Sequence, residues 1–172
     1  MPATPLKNRP REMTREAFLA RFGGVYEHSP WVAEGVLAAG HGSAHDSAEG
    51  LQSAMARVVE AAGRDRQLAL LRAHPDLAGR LAVAGGLTAS STAEQASAGL
   101  DRCTPAEFAR FQDLNAAYRE KFGFPFIMAV RGRSRTEILA AFERRVANDA
   151  ETEFATALAE VHKIALLRLR EL

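Results

Sequence analysis

His74 is the clearest candidate for acid–base chemistry in this chain of 172 residues. It follows the helix-like run RDRQLALLRA and precedes Pro75, and a proline disfavours helical geometry in the residue before it. The imidazole is therefore expected at a corner between helices. Histidine titrates near ~6.5 when unperturbed, which suits proton transfer at neutral pH. The alternative is a corner histidine that merely caps the preceding helix. Asp76 then reads as the N-cap of the next helix.

Two further features point to anion binding. Ser91-Thr92-Ala93-Glu94-Gln95 reads as a capping box, with Ser91 the cap and Glu94 three positions on. The N–H groups and positive dipole end of such a helix start also suit a carboxylate or a ureido group. Arg168 lies seven residues after Val161 and fourteen after Phe154, within ~40° of the apolar stripe of the last helix. An arginine on that stripe must pair with Glu or Asp or bind an anion, whereas Arg170 points to water. His41 and His45 have four-residue spacing, but they sit in the Gly/Ser-rich stretch GHGSAHDS, where a surface loop competes with a metal pair.

The composition limits what these residues can serve. Lys and Arg number 22 against 21 Asp and Glu, a formal charge of +1, so no broad basic face is available for nucleic acid or an anionic membrane. One cysteine, Cys103, excludes an internal disulfide, and no Cys/His tetrad has zinc-ligand spacing. A reducing compartment, the cytoplasm, and a metal-free domain are the expectation. No run of ~18 uninterrupted apolar residues occurs, the first dozen residues lack a signal-type apolar run, and the closing Arg170-Glu171-Leu172 does not match the peroxisomal address SKL.

The elements that must position these residues are helices. Thirty-four alanines, few β-branched runs and repeated start signals predict an all-α, single-domain bundle of eight or nine helices over 14–172, after a flexible leader over 1–13. Thr14, Ser29-Pro30 and Asp46-Ser47 each precede a helical pattern, the last with Leu51, Met55, Val58, Val59 and Ala62 on one face. Thr104-Pro105-Ala106-Glu107 starts a helix to about Lys121, Ser134 to Glu137 repeats the capping box, and a final helix runs from about Asp149. FGFPFIMAVRGRS breaks the rhythm with a hydrophobic connector around Pro125. A connector so apolar must be buried with its backbone groups satisfied, either as a plug in the core or by gripping a small polar ligand.

YEHSPWVAE (26–34), HPDLAGR (74–80), EQASAGLD (94–101), LNAAYREKFGFPFI (114–127) and the closing NDAETEFATALAEVHKIALLRL together resemble one family in the right order, from about Phe18 onward. It is the 2-oxo-4-hydroxy-4-carboxy-5-ureidoimidazoline (OHCU) decarboxylases of urate degradation. One stretch departs: AAGHGSAHDSAEG stands where family members commonly carry an Arg-Pro-Phe-like turn.

The resemblance implies an all-α homodimer with no metal or organic cofactor that converts its small-molecule substrate to (S)-allantoin and CO2. It implies that His74 is catalytic with Glu94 as a second candidate, and that Pro75, Ser91, Thr92, Ala93, Glu94 and Gln95 contact substrate. The backbone of Phe126, Ile127, Met128, Ala129 and Val130 would hold the ring, and Arg168 would lie near the substrate carboxylate. Two other classes compete with this reading. A helical protein-interaction module predicts an exposed apolar patch, and a metal-dependent hydrolase using His41, His45 and His74 predicts sensitivity to chelators.

Overall fold

Most helix starts among the described residues follow local hydroxyls. The computed structural model describes residues 2–40, 42–79 and 85–172. Among these residues are eight α-helices: α1 (Arg15–Phe22), α2 (Trp31–Ala39), α3 (Ala48–Ala61), α4 (Arg64–Arg72), α5 (Ala89–Ser97), α6 (Pro105–Phe122), α7 (Arg135–Val146) and α8 (Ala150–Glu171). No strand forms among them beyond one isolated bridge, Pro5 to Ser47. The oxygens of Thr14, Ser47, Thr104 and Ser134 accept the N–H three residues on, and Thr104 and Glu107 form the reciprocal capping box. The all-α expectation holds. No helix among the described residues is long and apolar enough to cross a membrane.

One expected cap is displaced. Helix α5 opens three residues before Ser91, with Thr88 Oγ1 accepting the Ser91 N–H at 3.2 Å and the Thr88 carbonyl accepting the Thr92 N–H at 2.9 Å. Thr88 and Ser91 offer rival hydroxyls one turn apart. Ala89 and Ser90 continue the helix back to the earlier one, because each added residue gains a hydrogen bond at little cost. Ser91 and Thr92 therefore do not present free N–H groups to an anion.

The chain divides into two compact units, one of Met1–Ala73 with Val161–Leu172 and one of His74–Glu160. The first unit is built on the apolar stripes of α1 to α4 and the end of α8. Leu51, Met55 and Val59 are fully buried, as their spacing predicts. Gly35 permits close approach of α2 to α3: a Cβ there would stand 2.5 Å from Val58 Cγ1. The leader, expected to be loose, docks on the stretch before α3. Thr4 N–H donates to Glu49 at 2.6 Å, Ala48 N–H to Thr4 O at 2.8 Å and Leu6 N–H to Asp46 O at 2.9 Å, with Leu6 buried. The departing segment at 42–48 thus gives the leader its pairing surface.

The second unit has an aromatic core. Phe126 stacks on Phe142 with centroids 3.9 Å apart, and Tyr118 meets both edge-on at 5.5 and 5.9 Å. Helix α6 ends at Gly123, whose φ of +78° supplies the left-handed C-cap and turns the chain into the connector.

Candidate functional site

The second unit opens with His74, buried at the corner its sequence predicts. Behind it, Asp76 to Gly79 form a tight turn in which Ala78 takes a φ of +50°. A left-handed alanine costs on the order of 1–2 kcal/mol, so the turn needs support. Gln95 on α5 accepts the Ala78 N–H at 3.0 Å through Oε1 and donates from Nε2 to Asp76 O at 3.1 Å. Helix α6 completes the clamp, with Gln112 donating to Ala78 O at 2.8 Å and Asn115 to Leu77 O at 3.0 Å.

Asp76 does not cap a helix at Leu77, since Leu77 and Ala78 are turn residues and Gly79 is not helical. Its carboxylate lies 2.9 Å from Arg119 Nε; a charged partner on α6 outcompetes a local cap. Sequence reasoning missed Gln112, Asn115 and Arg119 as functional supports. Their signal was present as polar residues at i, i+3 and i+7, one face of a helix.

Helix α5 sorts the proposed substrate residues by phase. Ser91 and Gln95 are one turn apart and both buried, Glu94 is half-buried beside them, and Thr92 and Ala93 are exposed. The Thr92 hydroxyl is engaged locally with Thr88 O at 2.9 Å.

The connector is irregular and mostly buried: Phe124 to Ile127 and Val130 are inside, while Met128 and Ala129 are half-buried. Among the described residues, no acceptor meets the N–H groups of Phe126, Ile127, Met128, Ala129 or Val130. The Ile127 carbonyl, by contrast, accepts from Arg145 Nη1 at 2.7 Å. Buried main-chain donors are nearly always paired, so a run of them with no acceptor among the described residues has the chemistry of a ligand cradle. Burial first, and its bond to Glu153 second, hold the Tyr118 hydroxyl far above the usual phenol range, so it remains a donor to Glu153.

Arg168 belongs to the first unit and is buried, as periodicity predicts. Its Nη1 lies 2.8 Å from Glu27 Oε2 and donates to Val25 O at 3.2 Å. Both readings of this arginine anticipated a negative partner, and the chain supplies one in Glu27, itself buried. Arg170 is exposed and pairs with Glu49 at 3.0 Å. Hydrogen bonding, led by the Thr4 N–H, holds the Glu49 carboxyl down to about 2.

Nearby in the first unit, the Tyr26 hydroxyl lies 2.7 Å from His162 Nδ1. Burial lowers the imidazole's pKa and raises the phenol's, which favours neutral His162 accepting from Tyr26. His41 lies outside the described residues. His45 occupies a short 3-10 turn over Ser43–Asp46, and its Nδ1 accepts the Gly42 N–H at 3.0 Å. Among the described residues no group of three or more His, Cys, Asp or Glu is arranged to hold a metal ion.

Comparison with known proteins bears on what these pieces serve. Residues 11–170 match the family model described as OHCU decarboxylase. A 2-oxo-4-hydroxy-4-carboxy-5-ureidoimidazoline decarboxylase of Haloferax volcanii is 52% identical over 156 residues, covering 91% of this chain and 89% of the relative. The protein of that name from Mus musculus is 41% identical over 155 residues, covering 90% and 85%. The crystal structure of an (S)-allantoin synthase superposes with a TM-score of 0.71 at 36% identity, covering 92% of this chain and 50% of that one. With the family model spanning nearly the whole chain and a relative of this identity aligned over most of both lengths, the protein belongs to the OHCU decarboxylase family.

Proposed function

We propose that this protein decarboxylates 2-oxo-4-hydroxy-4-carboxy-5-ureidoimidazoline to (S)-allantoin and CO2 in urate degradation. The observation that carries the reading is the pairing, within one unit, of a buried histidine just before a clamped turn with an irregular segment whose N–H groups meet no acceptor among the described residues. A small, amide-rich ring needs both a proton donor and main-chain donors.

The substrate carries its carboxylate and hydroxyl on one carbon, next to a C=N bond. When the C–CO2 bond breaks, its electron pair moves toward that bond and the ring nitrogen takes a proton. The hydroxyl then gives up its proton as the new carbonyl forms, and the neighbouring ureido-bearing carbon is protonated on one face. One proton is consumed overall, and the substrate provides its own electron sink. In this reading His74 transfers the proton and Glu94 orients or shares it. Ser91, Thr92, Ala93 and Pro75 border the substrate, and the Phe126–Val130 backbone holds the ring. Gln95 spends its Oε1 and one Nε2 hydrogen on the turn, leaving a second hydrogen for the ureido group. Arg168 takes the carboxylate-binding role that the resemblance implies. The metal-dependent hydrolase and the interaction module are not favoured by the family match.

The test is to generate the short-lived intermediate from urate in situ and follow optical activity. Rapid (S)-allantoin formation only with protein, unaffected by EDTA, is expected. The slow racemic background alone would reject the activity.

We also assign the enzyme to the cytoplasm and to a homodimer. The single Cys103, whose thiol burial pushes up, supports a reducing compartment. Sedimentation at micromolar concentration tests the dimer.

A further inference from the structure

We propose that Arg145 is a positioning residue for the decarboxylation, fixing the Ile127–Met128 peptide so that the Met128 N–H is aimed and polarised toward the substrate ring. The inference rests on the reading that the Phe126–Val130 backbone holds that ring.

Arg145 and Arg144 sit side by side on α7, but only Arg145 shares the inward face with Ile138, Ala141 and Phe142. Its guanidinium is held from three sides. Nε donates to Glu153 Oε2 at 3.0 Å, Nη2 lies 3.0 Å from the same carboxylate, and the group stands 4.4 Å from the Phe126 ring centroid. Nη1 is left for Ile127 O, at 2.7 Å. Glu153 is fully buried and is itself fixed by the Tyr118 hydroxyl at 2.5 Å and by Asn148 Nδ2 at 2.9 Å.

A buried ion pair of this kind is a weak source of stability, since apolar residues of similar volume often do as well or better. What it supplies is placement. Only a planar guanidinium can lie on an aromatic face while gripping a carboxylate and a carbonyl in fixed directions. In a planar trans peptide the N–H points opposite to the C=O. Drawing Ile127 O toward Arg145 therefore turns the Met128 N–H away from the arginine. A cationic donor on the carbonyl also polarises the peptide, strengthening its N–H as a donor. Met128 is half-buried, between the buried Ile127 and the half-buried Ala129.

The test uses the full chain with (S)-allantoin as probe. Arg145→Lys keeps a charge beside Glu153 but loses the fork. The pair Arg145→Met with Glu153→Gln removes both charges and leaves an acceptor for Tyr118. Met128 donates to the ring before and during reaction, so its misplacement should raise KM at least tenfold and lower kcat less than threefold in both variants. The amide resonance of Met128 should shift on adding (S)-allantoin to the wild type and shift less in the variants. A KM within twofold of wild type in the folded variants, with the Met128 shift retained, overturns the role of Arg145 alone. A wild-type Met128 resonance that ignores (S)-allantoin overturns the underlying reading and the proposal with it. Should the double variant fail to fold, Arg145→Lys alone decides.

Discussion

Arg168 Nη1 and Glu27 Oε2 stand 2.8 Å apart with both side chains more than nine-tenths buried, 141 residues apart in sequence. The pair joins the end of α8 to the loop before α2. A carboxylate in this position lets an arginine be buried without prohibitive cost and fixes the plane of its guanidinium. Glu27→Ala withdraws that carboxylate from a buried cation and should destabilise the protein by about 3–5 kcal/mol. Urea unfolding measures the loss, and a value under about 1 kcal/mol would show the pair to be structurally idle.

Arg168→Lys separates holding from binding. Lysine retains the charge opposite Glu27 but cannot offer two parallel N–H groups to a carboxylate. A tenfold rise in KM, equivalent to about 1.4 kcal/mol, is expected in steady-state assays on substrate made in situ. Unchanged KM and kcat would make Arg168 a structural partner of Glu27 only.

His74→Asn preserves a polar side chain at the corner while removing the titrating group. General acid–base contributions are typically ~10²–10⁴-fold, so kcat should fall in that range while the far-ultraviolet circular dichroism spectrum stays unchanged. A folded variant with full activity would remove His74 from the chemistry.

Gln95→Leu tests the clamp. It strips partners from the Ala78 N–H and the Asp76 carbonyl, each bonded at about 3 Å, and two lost buried bonds should cost about 2–4 kcal/mol. Because His74 lies two residues before that turn, kcat should drop as well. Lost stability with intact kcat would show that the turn does not set the histidine.

His162 gives the stability a pH dependence of known sign. Burial, partly opposed by Glu60, depresses its folded pKa below the ordinary histidine value of about 6.5. The unfolded chain then takes up the proton first as the pH falls, so stability present above about 6.5 is lost as the pH drops through 6.5 toward the folded value. His162→Gln keeps an acceptor for Tyr26 but cannot titrate. Its melting temperature should fall less than that of the wild type between pH 7.5 and 5.5, and parallel slopes would contradict the assignment.

What the sequence determined by itself is what depends on near neighbours. Thr14, Ser47, Thr104 and Ser134 announce their helices because a cap reaches only three residues along the chain. The burial of Arg168 and the corner at His74 follow from helical phase and from one proline, both local quantities. The all-α class and the motifs shared with the OHCU decarboxylases were likewise legible. Tertiary structure alone decided the partners. Nothing near Arg168 in sequence names Glu27, nothing near the HPDLAG turn names Gln112 or Asn115, and Thr88 overrides Ser91 in a choice that local rules leave open. Arg145 shows the boundary most clearly. Its phase with Ile138 and Phe142 was readable as inward, yet its grip on Ile127 exists only where α7, Glu153 of α8 and the connector pack together. Periodicity places a residue on a face; the angle and distance of a hydrogen bond depend on the position of the other face, which only the packed fold supplies.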